Sequence, residues 1–409
     1  MATVDLVLER CKIVTAKEIL EGNIVVEAGK ITGFHKAAKT PKAEETFDCK
    51  GKIVLPGAID PHVHFRDPGK THKEDFYTGS LSAAFGGVTT VLDMPNNNPD
   101  IDSNKNLDLK RKEIAKKAVV DYGLYAEVHN GNAGKIDKVN AIAYKAYLDE
   151  KINYENLQIS LNKLKNKIIS VHPEDSQIIK RKSERPLEAE LEAIKKIRAL
   201  KYNGNKIHFA HCTSKKSLDL IRNCPNATVE VNIPHLFFDI SYAEQLGPFV
   251  KMKPPVRERE VREELWNNLS RVDCLSTDHA PHTLKEKEDE GLNGMPSVEV
   301  FLRLLIDYGY RKRLDWTEIA RLSAGGAAKG FGLKNKGSIE IGNDADLVVV
   351  GKDDWNIIKS EELHSKCGWS PYNRWEVKGS VEKVYLRGEL IVDGDAFIGK
   401  KGIGRELNG

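Results

Sequence analysis

The spacing of hydrophobic positions changes twice along the chain. Over the first ~55 residues, short runs in which apolar and polar residues alternate are separated by turn signals, as in "DLVLERCKIV", "GNIVVEAGKITGF" and "KIVLPGAID". A period of two puts successive side chains on opposite faces of a strand. This region therefore predicts short strands, in the pattern of an antiparallel sheet, and no helix. From Thr71 to roughly Ala328, apolar strand-like runs alternate with charged segments of helical period: "GVTTVLDM", "NKNLDLKRKEIAKKA", "VVDYGLYAEV", then "KIISVHPED", "RPLEAELEAIKKIRALK", "KIHFAHC", "KKSLDLIRNC", "ATVEVNI", "EELWNNLSRV" and "DCLSTDHA". Strands that alternate with helices run parallel, and this length is what an eightfold barrel needs. Short strands return in "GSIEIGNDADLVVVG" and "GSVEKVYLRGELIVDG". The expectation is an α/β chain with a TIM-like (β/α)8 barrel over 54–344. Both chain ends, 1–53 and 345–409, are expected to form a small β-sandwich domain beside it.

Charge narrows the partners. Across 409 residues, 63 basic side chains nearly cancel 60 acidic ones, for a formal charge of +3. That gives no electrostatic footprint for nucleic acid or an anionic membrane, so a small-molecule substrate is expected. No apolar run approaches the roughly 20 residues that span a bilayer, and "MATVDLVLERCK" lacks the pattern of a secretory signal. A cytoplasmic location follows as an expectation. The six cysteines (Cys11, Cys49, Cys212, Cys224, Cys274 and Cys367) form no CxxC pair, so neither a disulfide framework nor a thiolate zinc site is suggested.

The candidate chemistry begins in "DPHVHFRDPG", where His62 and His64 share one face of a strand and Arg66 follows. An isolated HxH is more often a surface or hydrogen-bonded pair than a metal site. In a (β/α) barrel, however, reactive groups gather at the C-terminal ends of strands. Here "IISVH" ends in His172, "IHFAH" in His211 and "VDCLSTD" in Asp278, while "AIAYKAYL" contains Lys145. Each alone has a structural explanation: a satisfied core histidine, an exposed strand lysine, a helix N-cap. Four histidines and a carboxylate at successive strand ends favour a shared metal centre. Lys145 cannot bind a cation as an ammonium. Burial beside metal charge lowers its pKa, though, and a neutral amine can add carbon dioxide to give a carbamate, whose two oxygens can bridge two metals. That extra negative charge would help to hold two divalent ions about 3.5 to 4 Å apart.

These residues resemble the cyclic amidohydrolases of the amidohydrolase superfamily, and within it the dihydroorotase family. "DPHVHFRDPG" is similar to that family's first signature and "STDHAPHTLKEK" to its second. "KEDFYTGSLSAAFGGVTTVLDMPNNNP", "YKAYLDE" and "HFAHCTSKKSL" resemble the segments between, so the likeness spans Lys52 to Pro296. The resemblance implies two zinc ions per subunit, one held by His62, His64 and Asp278 and the other by His172 and His211. Lys145 would bridge them as its carbon dioxide-derived carbamate. It also implies that Arg66, Asn96 and His282 hold the substrate carboxylate and that Asp278 is catalytic, shuttling the proton as N-carbamoyl-L-aspartate and L-dihydroorotate interconvert in pyrimidine biosynthesis. A homodimer, or association with a neighbouring pyrimidine enzyme, is left open.

The sequence departs from the family pattern in two places. Where many members carry two adjacent histidines, "NIPHLFF" keeps only His235, and a loop that holds Thr-Phe in some members reads Lys151-Ile152. Two competing readings stay open. An allantoinase or dihydropyrimidinase would share the metal centre, but its uncharged substrate gives Arg66 and His282 no carboxylate to hold. A non-catalytic dihydroorotase-like subunit would be expected to have lost ligands, and here the set is complete.

Overall fold

The computed structural model describes residues 3–36 and 40–407. Residues 1–2, 37–39 and 408–409, which the sequence assigns to the terminal β domain, lie outside the described residues.

The first five strands are β1 (Val4–Val14), β2 (Ile19–Glu27), β3 (Lys30–His35), β4 (Ala43–Asp48) and β5 (Ile53–Pro56). They are followed by eight more: β6 (Ala58–Val63), β7 (Val88–Asp93), β8 (Asp121–Val128), β9 (Ala143–Tyr147), β10 (Ile168–His172), β11 (Lys206–Phe209), β12 (Ala227–Asn232) and β13 (Cys274–Ser276). Strands β6 to β13 pair in sequence order, all parallel, with helices in the connections. A parallel bridge between Val63 and His279 links the two ends of this sheet, and the His64 amide donates to the His279 carbonyl at 2.8 Å. The result is a nearly closed (β/α)8 barrel. Its strands are buried on both faces, which is why they read as continuous apolar runs; every residue of β8 is buried.

The barrel helices form where local chemistry favours them. Ser103 caps Asn104–Ile114 by accepting from the Asn106 amide, and Asp175 caps Ser176–Lys182. The segment "RPLEAELEAIKKIRALK" forms the helix Leu187–Arg198. Acids in its first turn and bases in its last match the helix dipole, and Ala189, Ala193, Ile194 and Ile197 face the core. No helix among the described residues is long and apolar enough to cross a membrane.

The chain ends build a separate sheet. After the barrel come β14 (Leu347–Val350), β15 (Trp355–Ile357), β16 (Glu376–Lys378), β17 (Val381–Leu386), β18 (Glu389–Asp393) and β19 (Ala396–Phe397). The sheet runs β19-β18-β17-β14-β5-β1-β2-β3, with β4 also on β1, and β15 pairs with β16 in a sheet of two. An antiparallel sheet was the expectation for the first strands, and this one is mixed. Both β4 and β5 run parallel to β1, β4 along its first half and β5 along its second. One edge of a long strand thus receives two short runs in succession, a pairing that alternation within each run does not encode. The apolar run "KIVLPGAID" is also divided: β5 joins the terminal sheet, while β6 opens the barrel. Gly57 makes the passage between them, because a Cβ there would lie 2.2 Å from Thr89 Oγ1. The inner face of the terminal sheet packs Leu6, Ile13, Ile24, Val26, Leu347 and Tyr385, among others, into its own core.

Candidate active site

The barrel carries the candidate residues to one end. His62 lies in β6 and His64 just beyond it, Lys145 sits in the middle of β9, and His172 is the last residue of β10. His211 and Asp278 each fall two residues past the end of a strand, β11 and β13. Arg66, His211 and Asp278 adopt positive φ angles of 62°, 38° and 47°. The left-handed region costs a residue other than glycine about 1 to 3 kcal/mol, and such strain clusters where the surrounding fold fixes a functional side chain.

The first group is organised for a cation. His64 Nε2 lies 2.9 Å and His62 Nε2 3.5 Å from the same oxygen, Asp278 Oδ1. The outward nitrogens are held by acceptors: His62 Nδ1 meets Glu230 Oε1 at 2.5 Å and His64 Nδ1 meets Asn96 Oδ1 at 2.7 Å. Those acceptors favour a proton on each Nδ1 and turn both Nε2 atoms towards the carboxylate. Burial, and then the nearby Lys145 ammonium, push His62 towards its neutral form. Burial pushes Asp278 up, but His62 and His64 outweigh it and hold the carboxylate below its ordinary range. Two imidazoles and an ionised aspartate converging on one point, with acceptors orienting the rings from behind, are what a divalent metal requires.

In the second group, His172 Nδ1 lies 2.9 Å from His211 Nε2. His172 Nε2 faces Glu174 Oε2 at 2.7 Å, which fixes the proton there and turns Nδ1 towards His211. His211 Nδ1 is buried without a partner, and burial followed by His172 drives its pKa far down. Asp149 and Glu174 stand near His172, but their charge is met by Arg185, 2.8 Å from Asp149 and paired directly with Glu174. These acids brace the histidine and are themselves neutralised.

Lys145 is fully buried between the groups, and its nearest hydrogen-bonding partner is Ser170 Oγ at 3.4 Å. Burial lowers its pKa to about 8 against the pull of Glu230, Asp278 and Asp149. A fraction of its amine is then neutral and nucleophilic near pH 7, as carbamate formation needs.

Eight of the nine predicted site residues, all but Lys145, line one cavity of about 290 Å3. Opposite the histidines, Arg66 is buried, with Nε donating to the Pro281 carbonyl at 3.2 Å. None of the ion pairs among the described residues includes Arg66, so its guanidinium faces the cavity without a counter-ion. His282 adjoins it, with Nε2 3.3 Å from Arg66 Nη2. Burial, Arg66 and Lys73 lower the His282 pKa to about 3, so the ring is neutral. Both of its nitrogens are engaged, Nδ1 with Lys73 Nζ at 3.0 Å and Nε2 with the Asn293 carbonyl at 2.9 Å. His235 lies outside the cavity lining and faces the Pro254 carbonyl at 3.0 Å. The Lys151-Ile152 position is tied down: Lys151 pairs with Glu127 at 2.8 Å and Asp100 at 2.9 Å, and Ile152 is buried.

Sequence reasoning missed several residues that hold this site. Glu230 binds His62 and also His208, at 2.9 Å, and His62 and His208 keep it ionised although burial opposes it. Its signal was available, since "ATVEVNI" sets one acid among apolar strand residues just as "AIAYKAYL" sets one lysine. Arg185, Asp149 and Lys73 gave no such signal, lying in charged stretches that resemble solvated surface.

Comparison with known proteins agrees with this geometry. Residues 53–391 match the Amidohydrolase family. A dihydroorotase of Pyrococcus horikoshii is 38% identical over 98% of this chain and 95% of its own length. One of Archaeoglobus fulgidus is 34% identical over 95% of this chain and 98% of its own. Among solved structures, the L-hydantoinase (dihydropyrimidinase) of Arthrobacter aurescens superposes with a TM-score of 0.95 at 26% identity, covering all of both chains. The D-hydantoinase of a Thermus species gives 0.89 at 27% identity, over 98% of each. This chain is a member of the amidohydrolase family, on its dihydroorotase branch.

Proposed function

We propose that the chain interconverts N-carbamoyl-L-aspartate and L-dihydroorotate on a centre of two zinc ions. His62, His64 and Asp278 would hold one ion and His172 and His211 the other, with Lys145 between them as a carbamate. The nitrogen-rich donor set suits zinc better than magnesium or calcium. Bound divalent ions would supply water of pKa about 7 in place of 15.7, together with a polarised ring carbonyl. Everything else falls to the chain's own side chains. Lys145 forms its carbamate when the neutral amine attacks carbon dioxide and releases one proton. Asp278, ionised and open to the cavity, accepts the proton of the attacking water and delivers it to the departing amide nitrogen; ring closure uses the same steps in reverse. Arg66 binds the substrate carboxylate through two parallel N–H donors, with Asn96 and His282 beside it.

The observation that carries this reading is a buried guanidinium without a counter-ion, in the same cavity as two inward-facing imidazole nitrogens and an aspartate. The hydantoinase likeness favours a second reading, a cyclic amidase for uncharged rings. Turnover of dihydroorotate, allantoin and dihydrouracil by metal-loaded protein separates the two. We expect dihydroorotate to be turned over far more efficiently, with activity lost on chelation and restored by zinc. Efficient dihydrouracil hydrolysis would overturn the assignment.

A further inference from the structure

Lys287 closes the second signature, "STDHAPHTLKEK", but lies outside both the cavity lining and the histidine groups. It stands on the helix Leu284–Glu290, whose start is fixed by the reciprocal capping of Thr283 and Glu286. Its side chain is fully buried, and none of the ion pairs among the described residues includes it. A buried ammonium without a counter-ion is costly unless its donors are satisfied. Here they are met by three carbonyls: Leu292 at 2.6 Å, Gly294 at 2.9 Å and Lys251 at 3.4 Å.

Two of these carbonyls flank Asn293, whose own carbonyl accepts from His282 Nε2 at 2.9 Å. The segment is held from its other side as well. The Gly294 amide donates to the Lys251 carbonyl at 2.9 Å, and Gly294 has φ +126° and no room for a Cβ, which would lie 2.4 Å from the Ala280 carbonyl oxygen. Leu292, Asn293 and Gly294 also form part of the cavity wall. A single lysine thus holds both neighbours of Asn293, whose carbonyl fixes the His282 ring beside Arg66.

We propose that Lys287 is a positioning residue for substrate recognition, moulding residues 292–294 so that the Asn293 carbonyl orients His282 where the substrate carboxylate binds. This rests on the dihydroorotase reading of the cavity. Lys287→Met keeps length and apolar contacts but removes all three donors. In metal-loaded protein it should raise KM for dihydroorotate by about tenfold, the worth of one or two lost hydrogen bonds, with kcat changed less than about threefold. Amide exchange across 291–294 should quicken. Lys287→Arg should not restore KM, since a planar guanidinium cannot meet three carbonyls converging on one point. A purely structural role would instead lower the active fraction and leave KM unchanged. Folded Lys287→Met protein with wild-type KM and wild-type exchange would overturn the proposal. Should that variant not fold, Gly294→Ala distorts the same segment independently: a raised KM supports the proposal and an unchanged one overturns it. If the wild-type protein fails to turn over dihydroorotate, the functional reading falls. The exchange measurement then decides the anchoring alone, faster exchange in Lys287→Met supporting it and equal exchange overturning it.

Discussion

Two clusters of buried charge sit at opposite ends of the barrel, and they are built on opposite plans. At the N-terminal end, Asp121 opens β8 and meets Asp344 and Asp346 from the segment leading into the terminal sheet. Lys336 fills their centre, at 2.6 Å from Asp121, 2.9 Å from Asp344 and 2.6 Å from Asp346, and Arg387 also pairs with Asp121. The acids there have their cations built in. At the C-terminal end, His62, His64 and Asp278 converge with no side-chain cation among the described residues at their centre, and Arg66 faces the cavity with no ion-pair partner among them. Three clustered acids are therefore not evidence of a metal site when a lysine stands among them. The group that can take a ligand is the one whose charges the chain has left unmatched, in line with the rule that barrels do chemistry at one end and keep the other for stability.

The contrast is broken most severely at the proposed metal ligands. His62→Ala should lose bound metal and turnover together. Its thermal midpoint should stay near that of metal-stripped wild-type protein, because Glu230 retains His208 and the His211 amide, at 3.2 Å, as partners. Metal analysis beside a melting curve checks this, and full metal content with normal activity would remove His62 from the ligand set.

Lys336→Met should do the reverse, destabilising the fold and sparing the chemistry. Removing one partner of a buried ion pair strands charge and costs about 3 to 5 kcal/mol. Here the stranded acids would face one another. Burial, opposed by Lys336 and aided by Asp121, already raises the Asp346 pKa, and losing the lysine raises it further. A carboxylate with a folded-state pKa above its unfolded value contributes stability at low pH and loses it as pH rises through the folded value. The variant's deficit against wild type should therefore be larger at pH 7.5 than at pH 5, with kcat per folded molecule unchanged. Denaturant midpoints at the two pH values test it; a deficit independent of pH would mean that the acids are not what the lysine neutralises.

These clusters were unequally legible in the sequence. The gathering of His62, His64, His172, His211 and Asp278 at one end could be read because barrel geometry sends strand ends to one place, so they needed only the right strands. Lys145 could be read because one lysine in an apolar strand demands a reason. The Lys336 cluster could not be read, since Asp121 lies 215 positions away from it and only the docking of the terminal sheet on the barrel chooses the partners. The division of "KIVLPGAID" between two sheets was hidden for a related reason: β5 and β6 are equally apolar, and what separates them is which neighbour each one pairs with.

The finest test of the contrast is Arg66, the cation without an acid. Burial lowers its pKa, opposed chiefly by Asp278, so the fold keeps a guanidinium in an unfavourable place and a ligand anion is the natural counterpart. If that anion is the substrate carboxylate, Arg66→Lys keeps the charge but loses the two-pronged geometry. A charge-assisted hydrogen bond is worth about 1.5 to 3 kcal/mol, so kcat/KM for dihydroorotate should fall about 10- to 150-fold. Dihydrouracil lacks the carboxylate, so whatever residual rate it shows should hardly change. If instead Arg66 only braces its loop through the Pro281 carbonyl, both substrates should lose equally and the melting temperature should fall with them. Equal losses would make Arg66 a second Lys336, a structural cation that happens to sit at the catalytic end.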